Sequence, residues 1–274
     1  VILVVEREEK RSFGVDFSAL VTAAAAGLGP AWPLFCLQVV ELTALGADDQ
    51  ALHRLAVAFL GAGELQTFEG LRLPRRRREW LAGRLAVKEA VRTLAGQGAG
   101  ARVEIGVASR GKPLLAGGGR EAGTVHVAIS HSGNSALGLA ARGPCALDFQ
   151  EIRPSLARVE ARFARPEEAR RIRPCHPDRL TALGLLWAAK EALRKYVDLW
   201  PLLGFLETRL VAVRPLAAGF LLSCEPVVAT RELPAGLPPV MVMLHQGSAL
   251  ALILAHGGQA ADGGADVFND NKRR

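Results

Sequence analysis

Four stretches of this chain combine residue types and spacings that can do chemistry. In Trp187-Ala-Ala-Lys190-Glu191-Ala-Leu-Arg194-Lys195, helical spacing sets Trp187, Glu191 and Lys195 on one stripe, away from Leu186, Leu193 and Val197. A carboxylate and an ammonium one turn apart are commonly a solvated pair worth about 0.2–0.5 kcal/mol. Aimed into a cleft, they become a metal ligand or base beside a phosphate clamp. In Ala146-Leu-Asp-Phe-Gln-Glu-Ile152, strand alternation puts Asp148 and Gln150 on one face, opposite Leu147 and Phe149. An acid there either caps a loop or gives half of a magnesium site, since Mg²⁺ takes oxygen ligands, one or two carboxylates completed by phosphate and water.

The other two stretches read as anion contacts. Ser130-His131-Ser132-Gly133 invites a hydrolase reading, but neighbours in a strand seldom face each other and no G-x-S-x-G elbow surrounds them. A polar turn offering hydroxyl, imidazole and backbone N–H groups to phosphate fits better; the plain alternative for His131 is a satisfied loop histidine. The run Arg75-Arg-Arg-Arg78 opens a helix that continues through Arg84 to Lys88. Cations at a helix start oppose its dipole, so something anionic should compensate them.

These groups need elements to hold them. Periodicity and caps predict helices over 48–60, 76–94 and 180–197. Strands are expected at 35–42, 102–108, 125–130, 136–141, 145–152, 209–214, 220–224, 240–245 and 250–255, with a turn at 111–113. The segment Ala86-Val-Lys-Glu-Ala-Val-Arg92 resembles Ala188-Ala-Lys-Glu-Ala-Leu-Arg194. Likewise His131-Ser-Gly-Asn-Ser-Ala-Leu-Gly-Leu139 resembles His245-Gln-Gly-Ser-Ala-Leu-Ala-Leu252 after a one-residue gap. K-E-A is common in helices, but two matches in the same order predict an internal repeat. The expected fold is α+β: two similar halves, each a long helix on a small, mainly antiparallel sheet, related by a pseudo-two-fold with a ligand cleft between them. The expected divisions are an extension at 1–30, halves at 31–145 and 146–256, and a disordered tail at 257–274.

Composition bounds the classes. At 274 residues and half apolar, the chain can build a large core and is neither disordered nor collagen-like. The longest apolar run, near residues 19–28, is broken by Thr22 and Gly27 and is too short for a membrane span. It also makes a poor signal peptide. The four cysteines are scattered without a C-x-x-C pair, which predicts reduced thiols, no zinc and a cytoplasmic setting. A net charge of +7 favours acidic partners. Only six of the 34 basic residues are lysines, and Lys88, Lys112, Lys190 and Lys195 all fall in or beside the segments above.

Taken in order, RRRREWLAGR (75–84), GKP (111–113), ISHSG (129–133), ALDFQEI (146–152), RFARPEE (162–168) and WAAKEALRK (187–195) resemble the 4′-phosphopantetheinyl transferases, the larger Sfp-type group with two fused pseudo-repeats. The resemblance covers about residues 32–256. It implies transfer of phosphopantetheine from coenzyme A to a serine of an acidic apo acyl or peptidyl carrier protein, with Mg²⁺, by a monomer, releasing adenosine 3′,5′-bisphosphate. It implies that Asp148 and Glu191, with Gln150 beside them, hold Mg²⁺; that Glu191 takes the serine proton; and that Lys195 steadies the phosphate. Ser130 and His131 would contact the pyrophosphate or 3′-phosphate, with Arg78, Arg84, Lys88, Lys112 and Lys190 as further candidates for coenzyme A phosphates. Ala146 replaces the group's usual glycine and Gln150 its usual second acid, so one metal charge is missing. Two alternatives predict different behaviour: a coenzyme A or carrier-protein binder on this fold would bind without transfer, and a nucleic-acid binder driven by the arginine run would show a steep salt slope and no use for coenzyme A.

Overall fold

The computed structural model describes residues 15–16, 21–22, 34–46, 48–95, 103–108, 111–116, 125–199, 201–227 and 236–255. The expected tail at 257–274 and most of the expected extension lie outside the described residues. Of the extension, β1 (Val15–Asp16) pairs with β2 (Phe35–Glu41). The elements that follow are α1 (Asp49–Phe59), α2 (Ala62–Gly70), α3 (Pro74–Ala95), β3 (Glu104–Val107), β4 (Pro113–Ala116), β5 (His126–Ser132), β6 (Ser135–Ala141) and β7 (Cys145–Glu151). After them come α4 (Ser155–Arg158), α5 (Pro166–Ile172), α6 (Arg179–Val197), β8 (Thr208–Leu216), β9 (Gly219–Pro226), β10 (Val240–His245) and β11 (Ser248–Leu254). The protein is mixed α+β. One antiparallel sheet runs β1-β2-β6-β5, a second runs β7-β11-β10-β9-β8, and β3–β4 form a separate hairpin.

β2, β6, β7, β10 and β11 are buried along most of their length because both their faces are covered. Leu37, Val39, Leu137 and Leu139 of the first sheet meet Leu147, Phe149, Met241, Met243, Leu250 and Leu252 of the second in one core. The opposite face of the second sheet carries Ala146, Val242, Ala249 and Ala251 against Leu186, Ala189 and Leu193 of α6. The opposite face of the first sheet is covered by α3, through Leu81, Leu85, Val87 and Val91 among others. Helix and strand touch there at Gly138, where any Cβ would come within 2.1 Å of the Val87 nitrogen. Both helix starts are conventional. Asp178 accepts from the Thr181 N–H at 2.8 Å to begin α6, and α3 begins at Pro74, whose missing donor costs nothing in the first turn.

β5 and β7 lie at the edges of their sheets and meet without a backbone ladder. The Phe149 N–H donates to Ser130 Oγ at 3.0 Å, and the Glu151 N–H donates to Ser132 Oγ at 2.9 Å. Both partners advance by two residues, so the strands run parallel, with serine hydroxyls standing in for carbonyls at two exposed edges. The expected division between residues 145 and 146 falls inside β7.

Five elements escape the sequence reading: β1, α2, β4, α4 and α5. β4 begins at Pro113, where only a turn is expected. α2 and α5 are short and weakly patterned, and each is closed by a buried glutamate. Glu64 Oε2 accepts from the Gly61 N–H at 3.0 Å, and Glu168 Oε2 from the Arg165 N–H at 2.9 Å. Each glutamate also takes a strand N–H, Ile105 for Glu64 and Leu210 for Glu168, and binds a lysine of the long helix, Lys88 or Lys190. Those partners lie about 20 to 40 residues away, beyond the reach of local patterning.

Candidate active site

β7 alternates as its sequence predicts, so Asp148 points away from the inter-sheet core, toward α6, and is buried. A carboxylate there requires partners. Lys195 Nζ donates to Asp148 Oδ1 at 2.7 Å, and the Ser130 hydroxyl donates to the same oxygen at 3.3 Å. Lys195 also donates to the Leu147 carbonyl at 3.1 Å and to Ser130 Oγ at 3.2 Å. Asp148 Oδ2 is buried with no hydrogen bond among the described residues. A carboxylate oxygen left so is a ready cation ligand.

Glu191 sits one turn before Lys195 on α6. Burial holds its carboxyl above the usual carboxylate range, with the Asp148 charge adding to the shift and Arg194 and Lys195 pulling against it. Two carboxylates thus approach from a strand and a helix. Gln150, next on the Asp148 face, is half-buried, and its amide donates to the Glu151 carbonyl at 2.8 Å. Among the described residues no three His, Cys, Asp or Glu side chains cluster as a metal site.

His131 extends the site toward α3. Arg76 Nη1 lies 3.1 Å from His131 Nε2, and Glu79 Oε2 lies 3.9 Å from Nδ1. A guanidinium only donates, so Nε2 accepts and Nδ1 carries the proton. Burial lowers the imidazole pKa; Arg76, Lys195 and Arg75 lower it further, while Glu79 opposes them. Beyond it opens a cleft of about 750 Å³ lined by Thr43, Arg75, Arg78, Asn134, Glu151 and Arg153, among others. Arg153 is paired with Glu151 and Arg75 with Glu79, and Arg78 lines the same wall.

The structure brings together Asp148, Glu191, Lys195, Ser130 and His131, and places Arg78 in the adjoining cleft. It corrects three other expectations, at Lys190, Lys88 and Arg84. Lys190 is fully buried and bound to Glu168 and to the Phe163, Phe205 and Thr208 carbonyls, so it presents no amine to a phosphate. Lys88 is likewise taken by Glu64 and the Phe59 carbonyl. Arg84 is buried, lies 3.8 Å from Glu64 and stacks on Trp80. Lys112 lies by His126 and Cys145, at the starts of β5 and β7, where it opposes the burial that pushes the Cys145 thiol up to about 12. Trp187 packs edge-on to Phe163 and against Phe205 and belongs to the wall of α6. The basic start of α3 is compensated internally, with Glu79 on Arg75 and Asp49 4.0 Å from Arg77.

Sequence reading gave no role to Arg153, Glu151 or Arg194. For Arg194 a signal existed, since Glu191 and Arg194 stand at i,i+3 on a helix. Arg153 and Glu151 reach the cleft only through the junction of the sheets, which has no local signature. No family model matches the chain, and no curated protein matches it.

Proposed function

We propose that this chain is a 4′-phosphopantetheinyl transferase, moving phosphopantetheine from coenzyme A to a serine of an acidic apo acyl or peptidyl carrier protein. The observation that carries this reading is the buried Asp148 carboxylate, with one oxygen held by Lys195 and Ser130 and the other unpartnered, set beside Glu191 and a basic cleft. Asp148 through Oδ2 and Glu191, with the Gln150 oxygen beside them, would hold Mg²⁺, whose bound charge offsets charge on the diphosphate oxygens. The remaining tasks fall to this chain's own groups. Arg78 and the neutral His131, donating through Nδ1–H, receive phosphate oxygens of coenzyme A. Glu191, its carboxyl made more basic by burial, takes the proton of the carrier serine as that oxygen bonds to the β-phosphorus. Lys195 stabilises the oxygen that keeps the electron pair when the phosphoanhydride P–O bond breaks, and adenosine 3′,5′-bisphosphate leaves. Positioning and charge neutralisation account for most catalysis of phosphoryl transfer.

The pseudo-two-fold organisation belongs to the same proposal and draws support from register. Glu64–Lys88 and Glu168–Lys190 are the same buried knot, each closed on the carbonyl of a phenylalanine, Phe59 or Phe163. Gln38 pairs with Gly138 as Asp148 pairs with Ala251, and Glu41 pairs with Ser135 as Glu151 pairs with Ser248. Both hairpins turn on two residues, Gly133-Asn134 and Gln246-Gly247, so His245 stands where Ser132 does, one place from the match the sequence indicates. In this reading the first half keeps the frame of the site, and Gln38 replaces its acid. The test is incubation with coenzyme A, Mg²⁺ and a panel of apo acyl, peptidyl and aryl carrier proteins, read by mass. A gain of one phosphopantetheine with release of the bisphosphate is expected. No gain on any carrier, with Mg²⁺ or Mn²⁺ present, overturns the proposal.

A further inference from the structure

Arg194 donates through Nη1 to Glu191 Oε1 at 2.8 Å, and its guanidinium lies 4.4 Å from the centre of the Phe205 ring. Its Nε is buried with no hydrogen bond among the described residues. An exposed i,i+3 pair would be loose, but here one member is clamped on an aromatic face, so the pair has a defined geometry. Lys195 is bound in the same way to Asp148. Each of the two carboxylates facing the proposed cation position therefore already has its own side-chain cation, and the third group on the strand face, Gln150, is neutral. The five side chains together carry no net charge. A hard divalent cation entering alone would sit within a few ångströms of an ammonium and a guanidinium. The first sheet offers an internal comparison. There Arg92 closes on Glu89 through both Nε and Nη2, and the strand position matching Asp148 by register is Gln38. The arginine–glutamate pair is thus a stable resting arrangement of this helix type where no strand acid faces it.

The geometry points to Arg194 as a positioning residue that holds Glu191 in the substrate-free protein and makes divalent-cation loading conditional on the diphosphate of the incoming substrate. This rests on reading Asp148 and Glu191 as the cation site. The diphosphate supplies what the site lacks, negative charge to offset Arg194 and Lys195 and oxygen donors to complete the octahedron. It also competes for the guanidinium fork, which matches phosphate oxygens as well as it matches a carboxylate. Glu191 Oε1 is then released to the cation when the substrate is in place.

The experiment is Mn²⁺ binding to the full chain by electron paramagnetic resonance, with and without coenzyme A, for the wild type, Arg194→Met, Arg194→Lys and the double variant Arg194→Met/Glu191→Gln. Removing a unit charge a few ångströms from the cation is expected to tighten Mn²⁺ binding by Arg194→Met roughly tenfold without coenzyme A, and to shrink the gain that coenzyme A brings. Arg194→Lys retains the charge and should keep Mn²⁺ binding without coenzyme A as weak as in the wild type, and Glu191→Gln should cancel the gain. Should Arg194→Met fail to fold, Arg194→Gln gives the same reading. Unchanged or weaker Mn²⁺ binding by the folded neutral variant, a gain that survives Glu191→Gln, or no Mn²⁺ binding by any variant in either state overturns the role. Transfer to apo carriers, assayed on the same preparations, separates the two ideas. The expected Mn²⁺ pattern without transfer removes the proposed activity and keeps Arg194, whereas transfer without that pattern does the reverse.

Discussion

Asp148 Oδ2 is the costliest atom in the site, a carboxylate oxygen buried beside α6 with no donor of its own. Leaving such an oxygen bare costs about 1–3 kcal/mol or more, so a group that visits it is the economical explanation. Glu191 is the other acid at this position, and Glu89 is its counterpart on α3. Glu89, held by Arg92, has Gln38 rather than an acid at the matching strand position. Glu191→Gln should therefore abolish transfer, by at least about 10²–10⁴-fold, while Glu89→Gln keeps most of it. Equal losses in the mass assay would mean that the two helices have been assigned the wrong tasks. Gln150 allows a graded test at the same scale. Gln150→Glu adds a charge on the Asp148 face and should lower the Mg²⁺ concentration for half-maximal rate; Gln150→Leu removes the oxygen and should raise it. Three superimposed titrations at saturating coenzyme A would place Gln150 outside the cation's reach.

At the scale of elements, the long helices are fastened by charge as well as by apolar contact. Lys190 and Glu168 are both fully buried, and Glu168 also satisfies the Arg165 and Leu210 N–H groups, so one carboxylate ties α5, α6 and β8 together. Breaking such a pair strands a charge in the core. Lys190→Met should cost about 3–5 kcal/mol in urea unfolding. The Glu168→Met/Lys190→Met double variant should recover part of that loss, because no bare charge remains. Since the Lys190 ammonium is buried against Glu168 and three carbonyls, the folded fraction of Lys190→Met should keep the coenzyme A affinity of the wild type. A stable Lys190→Met protein with weakened coenzyme A binding would restore the ligand role that the structure removes.

For the molecule as a whole, half-buried histidines set the response to acid. Burial lowers the pKa of His131 and of His245; the Arg76, Lys195 and Arg75 charges add to it at His131, while Glu79 opposes it there and Glu41 opposes it at His245. The unfolded chain takes up these protons near the free value of about 6.5, and the native state only at lower pH. The unfolded state therefore binds more protons in that window, and native stability must fall as pH drops through and below about 6.5. Glu191 acts with the opposite sign. Its raised pKa lets the native state keep a proton longer, so its contribution is lost as pH rises above the usual carboxylate range. Urea midpoints should be flat above about pH 7.5 and decline toward pH 6, with a shallower decline in His131→Gln. Midpoints that rise on acidification in that window would contradict the assigned burial.

Much of the site was legible before any fold was known. Period-two alternation in Ala146-Leu-Asp-Phe-Gln fixed the face of Asp148, period-3.6 spacing fixed Glu191 against Lys195, and each is a local consequence of backbone geometry. The long helices and most strands were legible for the same reason, their burial patterns being periodic within a dozen residues. Local pattern could not say which lysine of the K-E-A-containing helices meets solvent. Lys190 and Lys195 look alike in sequence, yet one is consumed by Glu168 and three carbonyls and the other reaches Asp148. It could not show α2 and α5, whose stability depends on Glu64 and Glu168 meeting residues far along the chain. Nor could it show the β5–β7 seam, where Ser130 and Ser132 accept backbone donors and bring His131 and the arginines of α3 up to the carboxylates. Spacing determines which side chains share a face; only long-range packing determines what each face meets, because the partner's desolvation and charge come from residues that local periodicity does not reach.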